Sequence, residues 1–78
     1  MGTIVEEGQY KFVIYTREKD FEPPHVHVWI GNENVCRLEL NGGQFMENPP
    51  SGNYREILSI YRRYGEVIRR GWDEIHGR

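Results

Sequence analysis

Apolar and polar side chains alternate along three stretches in the first half of the chain: 10–17, 25–30 and 35–40. A period of two residues is typical of β-strands that bury one face. Prolines or turn-forming residues separate the three stretches. The pattern therefore predicts three strands, and residues 44–46 leave room for a fourth. The predicted inward-facing residues are Tyr10, Phe12, Ile14, Val26, Val28, Ile30, Cys36, Leu38 and Leu40.

A period of three to four residues replaces the alternation after the second proline pair. Asn53 is a favourable N-cap, and Glu56 three residues later completes a capping-box pattern. Gly77 suits a C-terminal cap, whereas Gly65 inside the stripe leaves open whether the helix is continuous. The pattern predicts a helix over 53–76 whose apolar stripe consists of Ile57, Leu58, Tyr61, Tyr64, Ile68, Trp72 and Ile75.

Together these elements predict an α+β fold: a small antiparallel sheet of three to four strands with a long C-terminal helix packed on one face. We expect a single domain over 1–78, with a β-rich part at 3–47 and a helical part at 53–76. A core of this size has little stability to spare, and one cysteine excludes an intrachain disulfide. Association with a partner or a second copy is therefore an expectation from the start.

The second and third strands also predict a register. Directly opposed residues of an antiparallel pair point to the same face, so matching core to core requires an odd loop. A three-residue loop over 31–33 places His27 opposite Arg37 and His25 opposite Glu39. The two histidines then share the face away from the core with an arginine and a carboxylate.

The balance of acidic and basic residues argues against some classes of function. A formal net charge of −2 argues against a general nucleic-acid coat or a membrane-surface binder, which would be strongly basic. No apolar run approaches the roughly 18 residues of a membrane span, and no export signal is visible at the N-terminus. These features, with the lone cysteine, predict a cytoplasmic protein without membrane association.

The PPHVHV segment at 23–28 resembles the Pro-Pro-His-x-His-Val hallmark of a family of small bacterial proteins, known only as domain of unknown function forty-one sixty. The TI dipeptide at 3–4, the aromatic strand YKFVIY and the ending WDEIHG are similar to that family as well. The middle differs, because many relatives carry a lysine-containing aromatic strand where this chain has Arg37. The resemblance implies one half of a toxin–antitoxin-type pair, whose partner is a cognate small protein encoded nearby. It supplies no catalytic residues.

His25 and His27 leave several uses open. They could act as general acid and base in metal-independent RNA cleavage, because imidazole titrates near neutrality. Glu39 would then raise the pKa of His25, and Arg37 would stabilise the charge that develops on phosphorus. They could also ligate a metal, contact a partner, or serve only the structure of the strand.

No metal or cofactor is predicted. A structural zinc ion takes four nitrogen or sulfur ligands, and the chain has three histidines and one cysteine. By strand parity, that cysteine, Cys36, lies on the opposite face from His25 and His27. It is read as buried and therefore as a poor nucleophile.

Two further groups are candidates for binding a partner or nucleic acid. Trp29, Tyr15 and Arg17 extend the histidine face. Arg62 and Arg69, seven residues apart, lie on one flank of the predicted helix, although intermixed carboxylates favour a plain solvated surface. The preferred prediction is binding of a cognate protein. The alternatives are the ribonuclease and binding of RNA or DNA, a homo-oligomer stays open, and the sequence does not decide whether the chain is an enzyme.

Overall fold

The computed structural model describes residues 2–17 and 22–77, so Met1, residues 18–21 and Arg78 of the predicted domain lie outside it. Within these residues there are four strands and two helices, which form one antiparallel sheet in the order β1-β2-β3-β4 with both helices on one face. The predicted α+β fold class is confirmed. The elements are β1 (Gly2–Glu7), β2 (Tyr10–Ile14), β3 (His25–Ile30), β4 (Glu33–Glu39), α1 (Tyr54–Arg63) and α2 (Gly65–His76).

The first strand, β1, was missed by the alternation pattern. A β-bulge explains why: Thr3 pairs with Val13 and Val5 pairs with Phe12, so Ile4 is an extra residue between them. The bulge interrupts the period of two on which the sequence prediction depended. The residues proposed as a fourth strand, 44–46, instead follow the edge of β4 and form only an isolated bridge there.

The register of the β3–β4 hairpin is confirmed where it concerns the histidines: His25 pairs with Glu39 and His27 pairs with Arg37. Alternation along β3 places both histidines on the face opposite Val26, which is fully buried in the core. The alternation in segment 23–28 therefore determines which residues of β3 face the core.

The predicted three-residue loop is wrong, although the register it implied is right. The loop is a two-residue Gly-Asn turn, and its glycine has a φ of 61°, as a II′ turn requires. Cys36 pairs with Val28, but the next pair is Asn34 with Trp29, so Val35 is a bulge. The extra residue in the strand restores the parity that an even loop would have reversed.

The core lies between the sheet and the two helices. Apolar residues recur at three- and four-residue steps along the helical segment, and Ile57, Ile60, Ile68 and Trp72 are buried in this core. None of the helices in the described ranges is long and apolar enough to cross a bilayer. The side chains that are fully buried in this layer are Phe12, Ile14, Val26, Val28, Leu38, Ile57 and Ile68.

The helical segment is divided at Tyr64. Its backbone N–H bonds to the carbonyl of Ile60, its own carbonyl accepts from Ile68, and its φ and ψ of −112° and 19° are not helical. Gly65, which favours helix poorly, follows directly. The Tyr64 hydroxyl and the Arg63 guanidinium both donate to the Glu7 carboxylate at 3.0 Å, which ties the break to the end of β1.

The N-terminus of α1 uses its capping residues differently from the predicted capping box. Asn53 is the N-cap residue, but its side chain makes no capping bond. Its amide donates instead to the hydroxyl of buried Tyr10 at 2.8 Å, and that hydroxyl donates to Glu56 at 2.8 Å. The two polar residues therefore attach the helix to the sheet. At the other end of the helical segment, Gly77 is the left-handed C-cap, as predicted.

Candidate functional site

His25 and His27 lie on the predicted face of β3, but that face is closed around them. His25 is 0% exposed and His27 is 9% exposed. Both histidines therefore lie on the face away from the core, as predicted, but they are buried there. His25 is the first residue of β3, and the last turns of α2 pass this end of the sheet, where Trp72 reaches its ring.

The ring of His25 has defined neighbours. Its Nδ1 lies 2.8 Å from the carbonyl oxygen of Pro23, and because a carbonyl only accepts, Nδ1 carries the proton. The His25 ring meets the His27 ring edge-on with centroids 5.2 Å apart, and it lies 5.6 Å from the ring of Trp72. The second proline of the motif leads the chain directly into this packed position.

His76, the last residue of α2, joins the same group. Its ring stacks on Trp72 with centroids 3.9 Å apart, and its Nε2 donates to the backbone carbonyl of Tyr15 at 3.0 Å. The Tyr15 ring in turn lies 4.1 Å from the ring of His27. Tyr15, His25, His27, Trp72 and His76 thus form one histidine cluster. The i, i+4 spacing of Trp72 and His76 was the available signal.

Polar contacts continue the cluster toward the β3–β4 turn. The indole N–H of Trp29 donates to the Tyr15 hydroxyl at 3.2 Å. The side-chain amide of Asn34 donates to His27 Nδ1 at 3.2 Å, which leaves the proton of the neutral ring on Nε2. Asn34 was not predicted, because its place beside His27 depends on the bulge that shifts β4 by one residue.

Arg37 is bound by two carboxylates. It donates to Glu22 at 2.9 Å and to both oxygens of Glu47, from Nε at 3.1 and 2.9 Å. The bonds from Arg37 hold the pKa of Glu47 below its ordinary value. An arginine already neutralised in this way is poorly placed to stabilise a new negative charge. Glu47 lies in a segment without periodicity, so no pattern predicted its place beside Arg37.

A groove of about 350 Å³, which we call the side groove, opens beside the ion pairs of Arg37. Burial, together with the charge of nearby Glu47, raises the pKa of the Cys36 thiol to about 12, in line with the expected poor nucleophile. Glu39 stands opposite His25 in the backbone register, whereas the His25 ring bonds to Pro23. This side groove is lined by His27, Asn34, Val35, Cys36, Arg37 and Glu47.

The remaining predicted residues are spread over the surface. Arg17 is exposed after the end of β2. Arg62 lies on α1, whereas Arg69 lies on α2 and contacts Asn41 at 3.0 Å and Asp73 at 3.6 Å. The helical segment therefore divides between the two arginines that the seven-residue spacing places on one flank.

Metal-ligating side chains do not converge in the part of the chain that the structure describes. No group of three or more histidine, cysteine or acidic side chains there could hold a metal ion. The rings of His25 and His27 meet edge to face, 5.2 Å apart.

The fold and the cluster define a small α+β domain in which a Pro-Pro-His-x-His-Val strand packs against the last helix. A family model, described as a domain of unknown function (DUF4160), matches residues 10–73 of the chain. The protein belongs to this family, which confirms the family indicated by the PPHVHV segment. The comparisons with curated proteins and with solved structures gave no match.

Proposed function

We propose that this protein is the protein-binding component of a cytoplasmic toxin–antitoxin-type pair, and that it acts by contacting a cognate small protein. The observation that supports this is Trp29, a half-buried tryptophan on the histidine face of β3, near the turn to β4. Tryptophan is enriched among residues that dominate binding energy at protein interfaces. The two-gene arrangement itself is an expectation that comes from the family resemblance.

The surroundings of Trp29 suit such a contact. A pocket of about 130 Å³ lies beside it, with Val13 at only 3% exposure and with Thr3 and Lys11 around it. The register places these residues on one face, because Thr3 pairs with Val13 and Lys11 pairs with Trp29. Thr3, Lys11, Val13 and Trp29 form the open sheet face. An apolar floor with a polar rim is the usual anatomy of a protein interface.

The test is co-expression with the product of the adjacent gene, followed by size exclusion and a titration of the purified proteins. We expect a stable complex, and we expect Trp29→Ala to raise its Kd by about thirtyfold, as at a typical hot spot. Val67→Ala is the control, because Val67 is an exposed apolar residue on α2, away from both the open sheet face and α1. Two proteins that migrate independently would contradict the proposal, and light scattering of this chain alone tests the homo-oligomer.

A ribonuclease that uses His25 and His27 is a second, weaker proposal. The side groove favours it, because His27 and Arg37 line one cavity. Against it, His25 is fully buried and Arg37 is neutralised by Glu22 and Glu47. Unchanged RNA cleavage in a folded His25→Ala/His27→Ala double variant would remove the proposal. Circular dichroism of the variant is needed beside the assay, because the side chains are packed.

Binding of RNA or DNA through the Arg62/Arg69 flank has less support than protein binding or ribonuclease activity. The two arginines lie on different helices, and Arg69 is engaged by Asn41 and Asp73. A phosphate-binding track would show affinity that falls steeply with salt. A titration of the protein with a short duplex at low salt decides the point.

A further inference from the structure

A second surface, distinct from the open sheet face, lies on the solvent side of α1. It is a groove of about 570 Å³ lined by Arg55, Leu58, Ser59, Arg62 and Arg63. Positions separated by three, four and seven residues lie on the same side of an α-helix, so the first four follow one line. We call this surface the arginine groove.

The charges of the arginine groove are unbalanced. Arg55 and Arg62 are exposed, and within the described ranges neither takes part in an ion pair. Arg63 is different, because it is paired with Glu7 at 3.0 Å. The backbone positions of Arg55 and Arg62 are therefore about 10 Å apart along the helix axis, and both side chains are accessible to solvent.

The groove has one apolar lining residue, Leu58, which forms its floor, and α1 is held in place by contacts with the core. Leu58 is half-buried between the two arginines. On the other side of α1, Ile57 and Ile60 are buried in the core, and Tyr10 bonds to Glu56. The helix is thus held against the sheet, and a ligand would not have to order this surface first.

We propose that the arginine groove binds a carboxylate-bearing segment of a protein partner, with an apolar side chain of that segment on Leu58. Arginine forms bidentate, charge-assisted hydrogen bonds with carboxylates. A helix that carries acidic residues one and two turns apart, with an apolar residue between them, would match both the spacing and the floor. This inference rests on the proposed function, because it names a contact surface for the cognate protein.

Nucleic acid fits the groove less well. Two unpaired arginines would neutralise few phosphates, and the chain carries a net charge of −2. A single strand would also find a leucine where stacking requires an aromatic ring. The apolar floor therefore favours an amphipathic protein segment.

The experiment uses the purified full chain and a fluorescent helical peptide of about 15 residues, whose glutamates are spaced at i, i+4 and i+7 around a leucine. Fluorescence anisotropy at low salt gives its Kd. The same peptide with glutamine in place of glutamate, and an oligouridylate of similar length, are the matched probes. We expect the acidic peptide to bind most tightly and its binding to weaken as the salt concentration rises.

Variants locate the binding. Arg55→Glu/Arg62→Glu should raise the Kd of the acidic peptide by about tenfold or more, whereas Arg70→Glu, an exposed arginine outside the groove, should leave it within about twofold. Arg55→Gln/Arg62→Gln should give an intermediate loss and guards against misfolding of the reversed variant. Equal binding by wild type and the reversed variant, no binding at low salt, or tighter binding of the oligouridylate would overturn the inference.

The adjacent-gene product separates this inference from the proposed function. If wild type forms the complex and Arg55→Glu/Arg62→Glu does not, both are supported. If both form it equally well, the proposed function stands and the arginine groove is not the contact. If wild type forms no complex, the proposed function fails, whereas the peptide titration still reports on the groove.

Discussion

The rings of His25 and Trp72 lie 5.6 Å apart at an angle of 49°, although one residue opens β3 and the other lies in the last helix. Trp72 also stacks on His76, four residues further along α2, so β3 and α2 meet in one group of rings. His25 is therefore part of the packing between β3 and α2.

We expect Trp72→Ala to lower the free energy of unfolding by about 3–5 kcal/mol, because it removes a large side chain that is only 6% exposed. Trp72→Phe retains part of the contact and should cost less. Urea denaturation followed by circular dichroism measures both. Val67→Ala is the control, since Val67 lies on the same helix at 45% exposure and should change stability little. A loss for Trp72→Ala as small as for Val67→Ala would contradict this packing.

Tyr10→Phe should destabilise the protein by about 1–3 kcal/mol. The Tyr10 hydroxyl, in a residue that is 3% exposed, accepts from Asn53 and donates to Glu56, so its loss breaks two bonds. The measurement is chemical denaturation, with Tyr54→Phe as the exposed control. A double-mutant cycle with Asn53→Ala should show coupling, and additive losses would argue against a shared hydrogen bond.

Gly71→Ala should destabilise the protein despite the better helix propensity of alanine. A Cβ at Gly71 would meet the Ile4 side chain with its Cδ1 at 2.9 Å, its Cγ1 at 3.2 Å and its Cγ2 at 3.3 Å. Overpacking of this kind costs about 1–3 kcal/mol, against a propensity gain of about 1 kcal/mol. Gly65→Ala is the control, because a Cβ there meets nothing within 4 Å. In an Ile4→Ala background the cost of Gly71→Ala should be smaller, because the crowding side chain is gone. Stabilisation by Gly71→Ala in the wild-type background would contradict the close approach.

Stability should fall in alkaline solution partly through Cys36. Burial raises the pKa of this thiol from 9.0 to about 12, so between these values the unfolded chain releases a proton that the folded chain keeps. The contribution is complete below pH 9 and is lost as the pH rises through 12. The free energy of unfolding should decrease by at most about 1.4 kcal/mol per pH unit from this group.

The control for the alkaline effect is Cys36→Ala, which should flatten the pH dependence across this range while other groups titrate as before. Alkylation with iodoacetamide near pH 8 provides a second readout. We expect slow modification of the native protein and fast modification in denaturant. Equal rates in both states would show that the thiol is not protected.

The sequence predicted an element correctly wherever a single spacing of apolar residues ran through the whole element. The alternation in β2 and β3 and the helical stripe through Ile68 and Trp72 depend only on which face is buried, and these predictions are confirmed. It failed where the backbone departs from regularity. The bulge at Ile4 concealed β1, and the bulge at Val35 replaced a three-residue loop by a tighter turn.

Only the part of the candidate site that lies on regular strands was predicted from the sequence. Strand parity correctly paired His25 with Glu39 and His27 with Arg37. It could not show that Trp72 and His76 reach the same end of the sheet, because that depends on where the helical segment breaks and how it crosses the strands. It also could not supply Glu47, which approaches Arg37 from an irregular segment.

The turn and the bulge of the β3–β4 hairpin have a consequence for how related chains can vary. A two-residue turn with a bulge at Val35 and a three-residue loop without one pair His27 with the same residue, Arg37. The turn can therefore lose or gain one residue, with the bulge gained or lost at the same time, while His25 and His27 keep their partners across the strand. Relatives are expected to differ at this turn in geometry and length while they retain the same pairing further along the hairpin.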